Sequence, residues 1–207
     1  MTGTFDFKGT VAGEGKAGEL VKALKGTQDF VARDGRIDRS VPLKRILAFL
    51  NVTEVFKGKL PDMTEEGLPY TSMTTKTELR NGTLSLKEGI LDSPFMKLIA
   101  SGDLGLMTGE IDFVVLVAPL KTVDSIVNKI PLIRHILQGT LVSIPVEVKG
   151  TLTAPRVTPL SPSAVGSGLL GILGRTLKLP FTLIEPIMPK EKKNQDASQK
   201  TTIKDSP

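Results

Sequence analysis

At 207 residues and 40% apolar content, the chain is long enough for one domain with a substantial core or for two small ones, and too apolar for wholesale disorder. It has no cysteine, which excludes disulfides, thiolate chemistry and cysteine-ligated zinc, and with no Trp and one Tyr it has few platforms for stacking single-stranded nucleic acid. The net charge of +5 sets 27 basic against 22 acidic residues, and weak attraction to anionic lipid headgroups explains that excess at least as well as a nucleic-acid partner, which is not expected.

Residues Thr4–Ala12 alternate and are predicted as a strand, so the stretch after Met1 reads as neither a leader nor an anchor. GEGKAG at 13–18 then matches G-x-G-x-x-G between a predicted strand and a predicted helix, the placement a dinucleotide site requires. The preceding strand argues against that site. It carries Asp6, Lys8 and Gly9, whereas the first strand of a doubly wound sheet is a continuous apolar run. Gly13, Gly15 and Gly18 equally suit a plain strand-to-helix turn. Ala17 follows Lys16 where a phosphate loop needs Ser or Thr. Residues 17–25 are predicted as a short amphipathic helix closed by Gly26, and 29–38 as a hairpin around Asp34-Gly35. A helix over 42–50, with Pro42 in its first turn, precedes a polar loop at 60–69.

A β-rich block follows. Predicted strands 70–80 and 83–90 flank Asn81-Gly82, the strongest hairpin signal in the chain, and strands 96–106 and 110–118 flank Thr108-Gly109. Residues 123–137 are expected to be helical, interrupted near Pro131, and 141–153 to return to strand. Four segments open alike: GTFDF at Gly3, GTLSL at Gly82, GDLGL at Gly102 and GTLT at Gly150. Their irregular spacing excludes a solenoid and points to one strand type reused along a meandering antiparallel sheet. Residues 190–207 are polar, Lys-rich and predicted to be disordered.

The strand over 110–118 departs from a one-sided pattern. Ile111, Phe113, Val115 and Val117 fall on one face, and Val114, Leu116 and Ala118 on the other. A sheet with one wet face alternates apolar and polar residues. Either helices cover the second face here, or that face lines an apolar cavity.

The strongest apolar segment is 163–183, SAVGSGLLGILGRTLKLPFTL. Its longest uninterrupted run, 168–174, is far below the roughly 20 residues that span a bilayer as a helix. At 100° per residue, Leu169, Leu170, Ile172, Leu173, Thr176 and Leu177 cluster broadly, with Arg175 and Lys178 to one side. That pattern fits a helix on a membrane surface or over an apolar groove, and equally a core helix. The helix is expected to start near Ser163 under a serine cap and to weaken before Pro180. On a bilayer, those apolar residues and Leu179 would enter the interface while Arg175 and Lys178 reach phosphates.

Catalytic constellations are scarce. His135, the single histidine, sits in the apolar stretch PLIRHIL, and no G-x-S-x-G elbow or S-x-x-K pair accompanies it. Asp62, Glu65 and Glu66 form an acidic loop of the kind that is simply solvated, and Asn51 and Asn81 head glycosylation sequons. No cofactor, no metal and no enzymatic activity are expected.

The order RILAFLNVTEVFKG, LPYTSMTTKTELRNGTLSL, SPFMKLIASGDLGLMTGEIDFVVLVAP, IPLIRHILQGTLVSIPVEVKGTLTAPRV and GLLGILGRTLKLPFTLIEPIMP resembles the C-terminal region of AsmA-like bacterial envelope proteins, relatives of the YhdP and TamB type. The resemblance covers nearly all of residues 2–189, and GDLGLMTGEIDFVVLVAP and VKGTLTAPRV are its most specific parts. It implies a periplasmic, membrane-associated protein whose long β-sheet groove carries phospholipid, with this chain as the distal end of the groove. The implied fold is α+β: residues 1–189 form a curved, mostly antiparallel sheet with an apolar groove, short helices and a terminal amphipathic segment at 163–183.

The expected function is therefore non-catalytic lipid binding or transfer. Ile111, Phe113, Val114, Val115, Leu116 and Val117 are the candidate groove residues, and Leu169, Leu170, Ile172, Leu173, Arg175, Leu177, Lys178 and Leu179 the candidate membrane contacts. The alternative is a structural or assembly factor for outer-membrane proteins that binds protein through an open sheet edge. A nucleotide-binding enzyme built on residues 13–18 is the third reading.

Overall fold

The computed structural model describes residues 1–16, 18–37, 40–52, 67–119, 141–177 and 181–183. Eight strands follow one another across one sheet in chain order: β1 (Thr4–Ala12), β2 (Lys25–Ile37), β3 (Leu68–Arg80), β4 (Thr83–Asp92), β5 (Met96–Gly105), β6 (Glu110–Pro119), β7 (Leu141–Thr151) and β8 (Pro155–Pro159). Every neighbouring pair is antiparallel. β1 and β8 are not paired with each other, so the sheet is open and curled rather than a closed barrel. A short β9 (Phe181–Leu183) runs parallel to the first residues of β7. The described helices are α1 (Leu20–Ala23), α2 (Val41–Val52) and α3 (Ser167–Leu177). The curved antiparallel sheet is as expected, and the described residues are mostly β.

The turns follow from the backbone freedom of particular residues. Asn81 and Gly82 take φ of 53° and 75°, the two positive values of the tight turn that joins β3 to β4. The glycines heading the four similar segments share one cause. Gly3, Gly82, Gly102 and Gly150 all have positive φ, at 124°, 75°, 151° and 112°. A side chain disfavours such values, and at Gly102 a Cβ would sit 2.2 Å from the Asp112 carbonyl oxygen of β6.

Two expectations are corrected. Asp34-Gly35 makes no hairpin: Asp34 takes φ of 50° inside one continuous β2. Arg33–Ser72 and Gly35–Tyr70 remain paired on either side of it, so pairing with β3 overrides the turn preference and leaves a local kink. The helix expected over 17–25 is only Leu20–Ala23, because Lys25 and Gly26 pair with both β1 and β3. The second helix runs longer than expected, and the Ser40 hydroxyl accepts the Leu43 N–H at 3.3 Å to cap it. β8 and β9 were not anticipated. β8 has proline at both ends, which suits an edge strand. The helix expected over 123–137 and the tail at 190–207 lie outside the described residues.

A bulge in β4 sets the face of four apolar residues. Lys76 pairs with Glu88 and Thr77 with Leu86, which leaves Lys87 as the extra residue. The shift places Leu84, Leu86 and Leu91 on one face and Ile90 on the other, although simple alternation would group Ile90 with Leu84 and Leu86.

Candidate functional site

The register carries rows of side chains across the whole sheet, and one face can be read row by row. Phe5, Ala32, Met73, Leu91, Leu98, Val117 and Ile144 form the first row, each opposite the next. Phe7, Phe30, Thr75, Gly89, Ala100, Val115, Val146 and Pro159 form the second. Gly9, Gln28, Thr77, Leu86, Gly102, Phe113, Val148 and Val157 form the third. Val11, Gly26, Leu79, Leu84, Leu104, Ile111, Gly150 and Pro155 form the fourth. No side chain in these rows is charged. Gln28 satisfies Thr77 by accepting its hydroxyl at 2.7 Å.

The face is closed at one end. Leu43, Ile46 and Leu50 of α2 join a core with Leu68, Tyr70, Met96, Leu98, Val117 and Ile144, and α2 also reaches β8. The Tyr70 hydroxyl donates to the Thr2 carbonyl oxygen at 2.6 Å, tying the N-terminus to this end. Burial, and secondarily the charge of Asp34, raises the pKa of that phenol. Away from α2 the covering thins. Leu84, Leu86, Leu104, Phe113 and Val157 are half-buried, and on β1 Phe5, Phe7 and Val11 are 46%, 70% and 52% exposed.

The opposite face carries the charges, among them Arg33 with Asp6 at 2.6 Å and Lys149 with Glu147 at 2.7 Å. It has one apolar patch, made by Ile90, Ile99, Val114 and Leu116, and α3 covers it. A short 3-10 turn, Pro162–Ala164, leads into α3, so the helix starts at Ser167 rather than near Ser163.

The six candidate groove residues therefore divide. Ile111, Phe113, Val115 and Val117 lie on the charge-free face, the first, third and fourth buried and Phe113 half-buried. Val114 and Leu116 point the other way and lie beneath α3. Leu169, Ile172 and Leu173, the expected membrane contacts, are buried at 4%, 6% and 0% exposure against the sheet, and Leu170 is half-buried. The contact through these three is within the chain, because without α3 the patch on β4–β6 would be bare. Arg175 lies 3.4 Å from the Glu88 carboxylate. Leu177 closes α3; its side chain, Lys178 and Leu179 lie outside the described residues, as do His135, Asp62, Glu65 and Glu66.

Gly13 and Gly15 fall in the connection between antiparallel β1 and β2, ahead of a four-residue helix. A dinucleotide fingerprint instead joins parallel strands through a full helix. Among the described residues no cluster of His, Asp and Glu could hold a metal ion, and no helix is long and apolar enough to cross a membrane. Sequence reasoning missed the α2 plug and the continuity of the face through β1. The alternation of Phe5, Phe7 and Val11 was the available signal for the latter. Comparison with protein-family models, curated proteins and solved structures finds no match for this chain.

Proposed function

We propose that this chain is a non-catalytic lipid-binding module of the bacterial cell envelope, of the AsmA-like type, in which acyl chains lie on the charge-free face of the curled sheet. The observation that carries this reading is the absence of any charged side chain in four rows that run from β1 to β7 or β8. The far rows are unevenly covered: Leu79, Ile111 and Val148 are buried, while Leu84, Leu86, Leu104, Phe113 and Val157 stay half-open. Each methylene moved from water onto this surface contributes about 0.8 kcal/mol, enough to hold a diacyl lipid without recognising its headgroup. The segments that most resemble the AsmA-like family support the same reading, since GDLGLMTGEIDFVVLVAP runs from the end of β5 through β6 and VKGTLTAPRV from the end of β7 into β8. The location that goes with this function is the periplasm, at a membrane surface. A second reading, an assembly factor for outer-membrane proteins, is favoured by the open edge of β1, where a client strand can add.

The test is denaturing organic extraction of the purified chain followed by mass spectrometry for acyl lipids. Bound phospholipid is expected from the unaltered chain and is expected to fall sharply in Leu104→Asp. That change places a charge between half-buried Leu84 and buried Ile111, at the rim of the core that α2 joins, so circular dichroism first establishes that the variant is folded. A chain that carries no lipid, or a folded Leu104→Asp that carries as much, refutes the reading.

A further inference from the structure

We propose that β1 pairs edge to edge, antiparallel, with β1 of a second copy of this chain about a two-fold axis at Phe7. The observations lie in the edge itself. β1 runs nine residues in unbroken register with β2, every one of them exposed, and among the described residues no strand pairs with its outer side. Natural edges are blunted by proline, bulges, charge or shortness. The other edge, β8, is short and has a proline at each end; β1 has no proline and no bulge, and its charges, Asp6 and Lys8, are opposite in sign.

Charge order selects the occupant. With Phe7 opposite Phe7 of the second copy, Asp6 of each copy stands opposite Lys8 of the other, and Phe5 stands opposite Gly9. Sliding the strands by two residues either way sets Asp6 against Asp6 or Lys8 against Lys8. Sliding by one turns Phe7 onto the charged face. Only the centred register is complementary, and it is complementary twice. The order extends into β2, where Arg33 pairs with Asp6 and Asp29 stands opposite Lys8. Charges across the junction then alternate from Arg33 to Asp6, to Lys8 and Asp29 of the second copy. An unrelated client strand has no reason to match this pattern, whereas a second copy must. Opposite residues of antiparallel strands share a face, so the charge-free face continues across the junction. The dimer stands whether or not that face holds lipid.

The test uses the full chain in sedimentation-velocity titrations, with circular dichroism to confirm folding. The unaltered chain is expected to dimerise with concentration. Asp6→Lys alone and Lys8→Asp alone each replace two attractive pairs with two repulsive ones, and are expected to weaken dimerisation about tenfold to a hundredfold. Mixing the two single variants is expected to restore a dimer, because every cross-copy pair is again opposite in sign. The double variant restores it in the same way, although the contacts with Arg33 and Asp29 within each copy stay unfavourable. The chain lacks cysteine, so Phe7→Cys adds an independent readout: it should oxidise to a covalent dimer faster than Val11→Cys, which stands opposite Gly3. A chain that stays monomeric overturns the proposal. So does a dimer indifferent to both charge reversals, or single variants that do not rescue each other.

Discussion

Replacing Leu173 with alanine decides what α3 is for. Leu173 is fully buried, packed with Ile99 and Leu116 of the sheet, which are themselves fully buried. Core Leu→Ala changes cost about 2–5 kcal/mol, more where the surroundings cannot collapse. The outer side of α3, at Gly171 and Gly174, is open to solvent, so the helix can settle toward the sheet and the cost falls near the middle, about 3 kcal/mol. Leu170, half-buried, is expected to cost about 1 kcal/mol. Arg175→Glu reverses a pair with Glu88 whose arginine side chain is 68% exposed, and screening holds that effect below about 1 kcal/mol. Urea unfolding followed by circular dichroism reads all three. With a slope of about 2–3 kcal/mol per molar, Leu173→Ala lowers the midpoint by about 1–1.5 M. Anionic-liposome sedimentation of the same proteins reads the competing role. If Leu173→Ala leaves the midpoint unchanged but releases the chain from liposomes, α3 is a membrane element and the packing described here is refuted.

Two further predictions probe the closed end and the sheet. The pKa of Tyr70 is raised by burial, so its phenol stays neutral in the folded chain while the unfolded chain ionises first; stability is intact below pH 10 and falls as pH climbs beyond it. Tyr70→Phe is expected to lose about 1 kcal/mol at neutral pH with the bond to Thr2, and to show a shallower alkaline decline in urea midpoints. Gly102→Ala forces a Cβ against the Asp112 carbonyl at a φ of 151° and is expected to cost more than about 2 kcal/mol; Gly109→Ala, at φ of 68° with open space around it, should cost about 1 kcal/mol in thermal melts.

The sheet was legible because its turns are chemically explicit. Asn81-Gly82 and Thr108-Gly109 mark reversals that only positive φ can make, and the strands between them keep their alternation. The failures have physical causes of their own. Asp34-Gly35 has turn chemistry, but β2 is paired on both sides of it, and those ladder bonds outweigh a local preference. The bulge at Lys87 leaves no sequence mark, so the grouping of Leu84 and Leu86 with Leu91 could not be read. At the candidate site, the two-sided character of β6 was plain in the sequence. What occupies each side was not, because the partners of Leu116 come from α3, some fifty residues later, and those of Val117 from α2, more than sixty residues earlier.

The two faces of the sheet are answered unequally, and the lipid reading rests on that inequality. On the charged face the apolar patch is confined to β4, β5 and β6, and one helix matches it. On the other face the apolar rows cross eight strands, about 35 Å at the usual spacing between paired strands. The twelve residues of α2 make a helix about 18 Å long. Among the described residues α2 is the one helix packed against this face, and it is shorter than the face is wide. Leu104 packs against the rim of the core that α2 joins, but Leu84 and Leu86 lie outside that core. The apolar character of Leu84 and Leu86 is thus unexplained by folding against α2. It is explained if the far rows have a hydrocarbon occupant of their own.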